Sequence, residues 1–156
     1  MAMFDVISLI NLFGLPGLFI TTLLAASIVP FPSEPAIVLT AAIFNPVLVF
    51  VVALAGAAIG SVTNYYIGWK GLRHHFLRRS PKYEKKARKI FKKWGAFVLL
   101  FAPWIPFFGD PLIIVAGMVK MNFEKFLMTM VIAKSIKISA LILVGNALTP
   151  FLYSFV

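Results

Sequence analysis

The stretch Pro30-Phe31-Pro32-Ser33-Glu34-Pro35 returns 76 residues later as Pro106-Phe107-Phe108-Gly109-Asp110-Pro111. Pro30 aligns with Pro106, Phe31 with Phe107, Glu34 with Asp110 and Pro35 with Pro111. Each copy sets helix breakers and one carboxylate in the middle of an apolar run. A soluble core does not tolerate that, and a plain membrane anchor has no use for it. An acid within a broken hydrophobic segment marks a site by default. The same broken segment in both halves of a chain is a signature of transporters.

Working outward, the surrounding chain is that of an integral membrane protein. Of 156 residues, 61% are hydrophobic, well above the roughly 45–50% of soluble domains. The length suits a single membrane domain over residues 1–156. No basic n-region of a cleavable signal peptide precedes the first apolar segment. There is no cysteine, which excludes disulfides and thiolate metal sites. The net charge of +10 would suit nucleic acid, but its distribution does not. Eleven of the fifteen basic residues lie between Lys70 and Lys93. Lys120 and Lys125 flank a second polar connection, and Lys134 and Lys137 lie within an apolar run. Basic residues collect in the cytoplasmic loops of membrane proteins. The expected partner is therefore an anionic lipid surface, and nucleic acid is not expected.

The spacing predicts an all-α membrane fold. Residues 3–13 read as a short apolar segment ended by Gly14-Leu15-Pro16-Gly17. Residues 18–27 and 36–44 are two arms, each too short for the roughly 20 residues that span a bilayer. With Pro30, Pro32 and Pro35 at its tip, this is a re-entrant hairpin. Residues 47–69 form the first span, and its Gly56-x-x-x-Gly60 face reads as close helix packing. Residues 94–119 repeat the hairpin, with Pro106, Gly109 and Pro111 at a tip over 103–111 and a return arm over 112–119. Residues 123–148 form the second span. The halves, about 16–69 and 94–148, enclose one crossing, so they make an inverted repeat with hairpins entering from opposite faces. If both hairpins return to their own side, the basic loops 70–93 and 120–125 share one face, expected to be cytoplasmic. A full crossing of 94–119 would separate them, against the positive-inside tendency.

Between Lys70 and Lys93 apolar positions recur at helical spacing among the basic ones. This predicts an amphipathic surface helix on anionic lipid, with Arg78, Arg79, Lys85, Lys86 and Lys89 as contacts. His74 and His75 are adjacent, point different ways on a helix and make a poor metal pair. No metal site or cofactor motif is found.

Four charged groups are the candidate substrate or ion site: Glu34, Asp110, Lys134 and Lys137. Asp110-Pro111 reads as a helix N-cap followed by proline at the first helical position, and Glu34-Pro35 has the same shape. Each return arm would then aim its N-terminus, with free N–H groups and partial positive charge, at the bilayer middle. Lys134 lies about 18 Å along its helix from Asn122, near the midplane of a ~30 Å core. Lys137 follows one turn later on the same face. Purely structural ion pairing is the bland reading of any one of these residues. The set of four favours a wet, charged cavity, because apolar residues would suit a membrane fold better. No nucleophile–base set is present, so no enzyme activity is expected.

The hairpin phrases, the run Gly60-Ser61-x-x-Asn64-Tyr65-Tyr66-Ile67-Gly68, Trp94-Gly95 and Trp104-x-Pro106-x-x-Gly109-Asp110-Pro111-x-x-x-x-Ala116-Gly117 together resemble the DedA superfamily, and within it the YqaA-like branch. Ala133-Lys134 stands where that branch often carries Gly-Lys. The resemblance covers roughly residues 20 to 145. The arginines that the typical DedA second hairpin carries around its proline are absent; Gly109-Asp110 stands there instead. The resemblance implies a multi-pass protein of a prokaryotic-type cell membrane. It also implies a transporter or scramblase of lipids, with polyprenyl phosphate or an anionic phospholipid as expected cargo and protons as an expected coupling partner. Two further expectations remain open at this point. One is a proton- or ion-coupled transporter of a small solute; the other is a non-transporting lipid-binding or assembly protein. The small-residue faces permit a homo-oligomer.

Overall fold

The computed structural model describes residues 2–26, 33–72, 89, 91, 93–95, 97–105 and 109–153. Every regular element among them is helical. Helix α1, Ala2–Ala25, passes through a break at Gly14, where φ is 52° and ψ −129°. The expected end of the first segment at Gly14–Gly17 is met here: two helical stretches join at the Gly14 break, because glycine adopts this backbone freely and Pro16 falls in the first turn of the second stretch, where its missing N–H is harmless. Helix α2 is Ser33–Ile43. Helix α3 is Pro46–Tyr66, started by Asn45, whose side chain accepts the Val47 N–H.

The first span does not stop at Trp69. It continues from α3 into a π-helical turn, Ile67–Leu72, which takes up Lys70. A helical stretch at 97–101 leads into a 3₁₀ turn, Ala102–Trp104. Helix α4 is Gly109–Met118, so the second return arm begins three residues before the expected Leu112. Helix α5 is Phe123–Tyr153, passing the expected end at 148 and carrying Pro150. Among the described residues, two stretches are long and apolar enough to cross a membrane, Pro46–Lys70 and Phe123–Leu148. By contrast, α2 and α4 have 11 and 10 residues, about 15 Å each and half of a ~30 Å core.

Two apolar cores hold these helices. One joins Leu18 of α1, Ala36 and Ile37 of α2, Val49 and Ala53 of α3, and Ile138 and Ile142 of α5. The other joins Tyr65 of α3, Leu99, Ile113 and Ala116 of α4, and Phe126 and Met130 of α5. The start of α3 thus shares a core with the later part of α5, and the end of α3 with the start of α5. The two long helices run antiparallel. Helix α4 begins 76 residues after α2. Helix α2 packs on α5 while α4 packs on α3, so each short helix lies against the long helix of the other half.

The Gly56-x-x-x-Gly60 face does what its spacing predicts. A Cβ at Gly60 would stand 2.6 Å from Ala26 Cβ and 2.7 Å from the Leu23 carbonyl, and one at Gly56 would meet Thr22 Oγ1. The backbones of α1 and α3 approach too closely for any side chain there. On the other side of α3, Gly117 of α4 lies against the Tyr65 carbonyl in the same way. Polar side chains on these faces satisfy themselves: Thr21, Thr22, Thr40 and Ser61 each donate to a carbonyl one turn back, as an apolar surround requires.

The ends of the long helices also meet. Tyr65 donates its hydroxyl to the Met121 carbonyl at 2.5 Å. Lys70 and Lys120 each stand 5.9 Å from the Trp69 ring. The connection between Lys70 and Lys120 therefore begins and ends at one end of the molecule. Arg78, Arg79, Lys85 and Lys86 lie outside the described residues, whereas Lys89 is helical and exposed.

Candidate functional site

The site begins with a missing donor. The last carbonyls of a helix have no intrahelical donor. The Ala26 carbonyl follows the end of α1, and the Pro103 carbonyl lies in the 3₁₀ turn that stops at the extended Ile105. An unpaired carbonyl at membrane depth is costly. In this structure each of the two is covered by a polar side chain from a long helix. Asn64 Nδ2 of α3 donates to the Ala26 carbonyl at 2.8 Å. Lys137 Nζ of α5 donates to the Pro103 carbonyl at 2.7 Å.

Lys137 does more. The same ammonium donates to Glu34 Oε1 at 2.6 Å. Glu34 stands in the first turn of α2, one position inside the helix, which starts at Ser33 rather than at the expected cap. Lys137 thus ties the first turn of α2 to the 3₁₀ turn at 102–104, from near the middle of α5. The contact is reachable: the Lys137 side chain is 25% exposed and that of Glu34 47%. A charge-assisted bond of this kind is strong, yet a competing anion can approach it.

Lys134 turns to α3. Its Nζ, buried, donates to the Ala57 carbonyl at 2.9 Å, and Ser61 Oγ donates to the same carbonyl at 2.8 Å. Helical spacing carries Ala57, Ser61 and Asn64 down one face of α3, toward the end of α1. Asn64 is fully buried, and its Oδ1 has no hydrogen-bond partner. Reversing the amide would set that oxygen against the Ala26 carbonyl, so the orientation is determined by the neighbour. A buried acceptor without a donor is rare, and this one lies beside the end of α1.

Of the predicted site residues, the structure brings Glu34 and Lys137 into contact and buries Lys134 against α3. Gly109, Asp110 and Pro111 occupy the first turn of α4, so Asp110 falls one position inside its helix rather than at the cap. The side chain of Asp110 lies outside the described residues, as do Pro30, Pro32 and Pro106. Pro35 is in the first turn of α2 and exposed. Sequence reasoning missed the two carbonyls as partners and underrated Asn64. The signal was partial: the helix breakers end each arm, and the last carbonyls of an ended helix need donors from elsewhere. Among the described residues no cluster of side chains suits a metal ion.

The VTT domain family matches residues 31–147 of this chain. Inner membrane protein YqaA of Escherichia coli K12 is 28% identical over 123 residues, covering 78% of this chain and 83% of that protein. An uncharacterized protein of Haemophilus influenzae is 29% identical over 150 residues, covering 86% of this chain and 87% of its own. No solved structure matches. The family match takes in α2, α3, α4 and most of α5 with Glu34, Asn64, Asp110, Lys134 and Lys137, and the chain accordingly belongs to the VTT-domain (DedA) superfamily of membrane proteins, in its YqaA-like branch.

Proposed function

We propose that this protein is a lipid transporter in which α1–α2 and the segment from 97 to α4 are two re-entrant hairpins of an inverted repeat. Its cargo is a lipid phosphate, a polyprenyl phosphate or an anionic phospholipid. The reading rests above all on Lys137, one ammonium shared between a carboxylate of the first half and a carbonyl of the second. Short helices packed on the long helix of the opposite half support the repeat. The common end of Lys70 and Lys120 supports hairpins that return to their own side, with both basic loops cytoplasmic and the 78–89 basic residues on anionic lipid.

In the empty site Glu34 neutralises Lys137. A cargo phosphate arriving between the hairpins competes for the same ammonium and for the N–H groups at the start of α2. Glu34 must then swing away or take a proton, which links cargo entry to a proton. Loss of the shared ammonium loosens one hairpin from the other, and a device of this kind permits the two halves to open alternately. Pairing for structure alone would favour a dry contact, and Glu34 is half-exposed.

Reconstituted vesicles with labelled polyprenyl phosphate and labelled phospholipid test the reading. The intact chain should move one of these, and Lys137→Met should abolish the movement in protein that still purifies as a folded species. Transport of both lipids at the rate of empty vesicles would overturn it.

A further inference from the structure

An open groove of about 660 Å³ runs along the outer face of α3. Ala58, Ile59, Val62, Tyr66 and Ile67 line it, and Lys70 closes one end. Thr63 also faces it, but its hydroxyl is committed to the Ile59 carbonyl at 2.9 Å. The wall is therefore apolar except at Lys70. From Ala58 to Lys70 the helix rises about 18 Å, close to the depth of one leaflet of a ~30 Å core.

The closed end carries excess positive charge. Lys70 and Lys120 come from different elements and stand over the same indole, each 5.9 Å from the Trp69 ring. Both are exposed, and among the described residues neither makes an ion pair. Two exposed ammonium groups set about one ring leave local positive charge that an anion offsets. Lys120 is not there by drift. It has φ 55°, donates its N–H to the Gly117 carbonyl at 3.0 Å and precedes Met121, whose N–H returns to Ala116. That is the left-handed close of a helix, a position that favours glycine. The chain uses lysine instead, and Gly117 one turn back is seated against the Tyr65 carbonyl. Both lysines are thus held by the same joint between α4 and the end of α3.

We propose that this groove holds one acyl chain of an anionic phospholipid, with its phosphate seated on Lys70 and Lys120 beside Trp69. The groove supplies apolar contact for the chain, the indole marks the level of the headgroups, and the two lysines select negative charge. The bound lipid belongs to the rim of the protein. It stays in one leaflet, and the site stands whether or not the central pair moves cargo.

The test uses the full chain with Trp94→Phe and Trp104→Phe, leaving Trp69 as the one tryptophan, in bilayer discs. Brominated phosphatidylglycerol and brominated phosphatidylcholine are compared as quenchers of Trp69 emission. Phosphatidylglycerol should half-quench at a mole fraction about tenfold lower. Lys70→Gln with Lys120→Gln should remove that preference while helical content is retained, and Val62→Phe, which fills the groove, should weaken quenching by both lipids. Equal quenching by the two lipids in the parent overturns the proposal without recourse to any variant. A preference that survives loss of both lysines overturns it as well.

Discussion

Lys137 and Glu34, 103 residues apart in the chain, meet at 2.6 Å. The pair joins the middle of α5 to the first turn of α2. The same ammonium reaches the Pro103 carbonyl at 2.7 Å, so α5 holds α2 and the 102–104 turn together.

Removing both partners should cost less than the two single losses added together. Lys137→Met leaves Glu34 without its cation and the Pro103 carbonyl without a donor, and Glu34→Gln leaves Lys137 its carbonyl. A double-mutant cycle read by thermal melting in detergent should give a coupling of about 1 kcal/mol, the magnitude expected of a partly exposed pair. Additive effects would mean that the ion pair contributes nothing.

Asn64→Leu keeps the volume but uncovers the Ala26 carbonyl. The expected loss is about 1–3 kcal/mol, seen as a lower melting temperature. Asn64→Asp offers acceptors where a donor is needed and should be at least as harmful. If Asn64→Leu melted at the parent temperature, the orphaned carbonyl would need another explanation.

Gly60→Leu should be among the most damaging packing changes. Its Cβ alone would lie 2.6–2.7 Å from atoms of α1, and overpacking of this kind costs about 1–3 kcal/mol or more. Ile59→Leu, one residue away on the exposed side, should change stability little. Melting curves of the two variants, side by side, separate close packing from hydrophobicity in general.

A large part of this arrangement was legible beforehand. The two Pro-acid-Pro phrases marked where the short helices begin, because proline and an acid both suit a first turn and suit a helix interior badly. Gly56 and Gly60 announced a close crossing. Lys134 and Lys137 announced an interior face, since lipid repels both. What misled was the idea that one lysine turn makes one environment. Lys134 and Lys137 are neighbours on a helix face, yet one reaches the Ala57 carbonyl and the other Glu34. A long side chain lets two adjacent residues serve different neighbours, and the neighbours are not adjacent in sequence.

Composition and spacing by themselves determined that this chain belongs in a membrane, that it is helical, and which residues carry charge at depth. These are local consequences of hydropathy, proline geometry and the expense of burying ions. The partner of each charge was decided by the tertiary structure alone. Whether Lys137 meets Glu34, Asp110 or a carbonyl depends on how α2 and the 97–104 segment come to lie on α5. For α2 that depends in turn on the backbone approach at Gly145 of α5, where a Cβ would stand 2.5 Å from the Val38 carbonyl of α2. Long-range contacts of this kind leave no periodic trace in the sequence, because the residues they join are placed by packing rather than by helical rise.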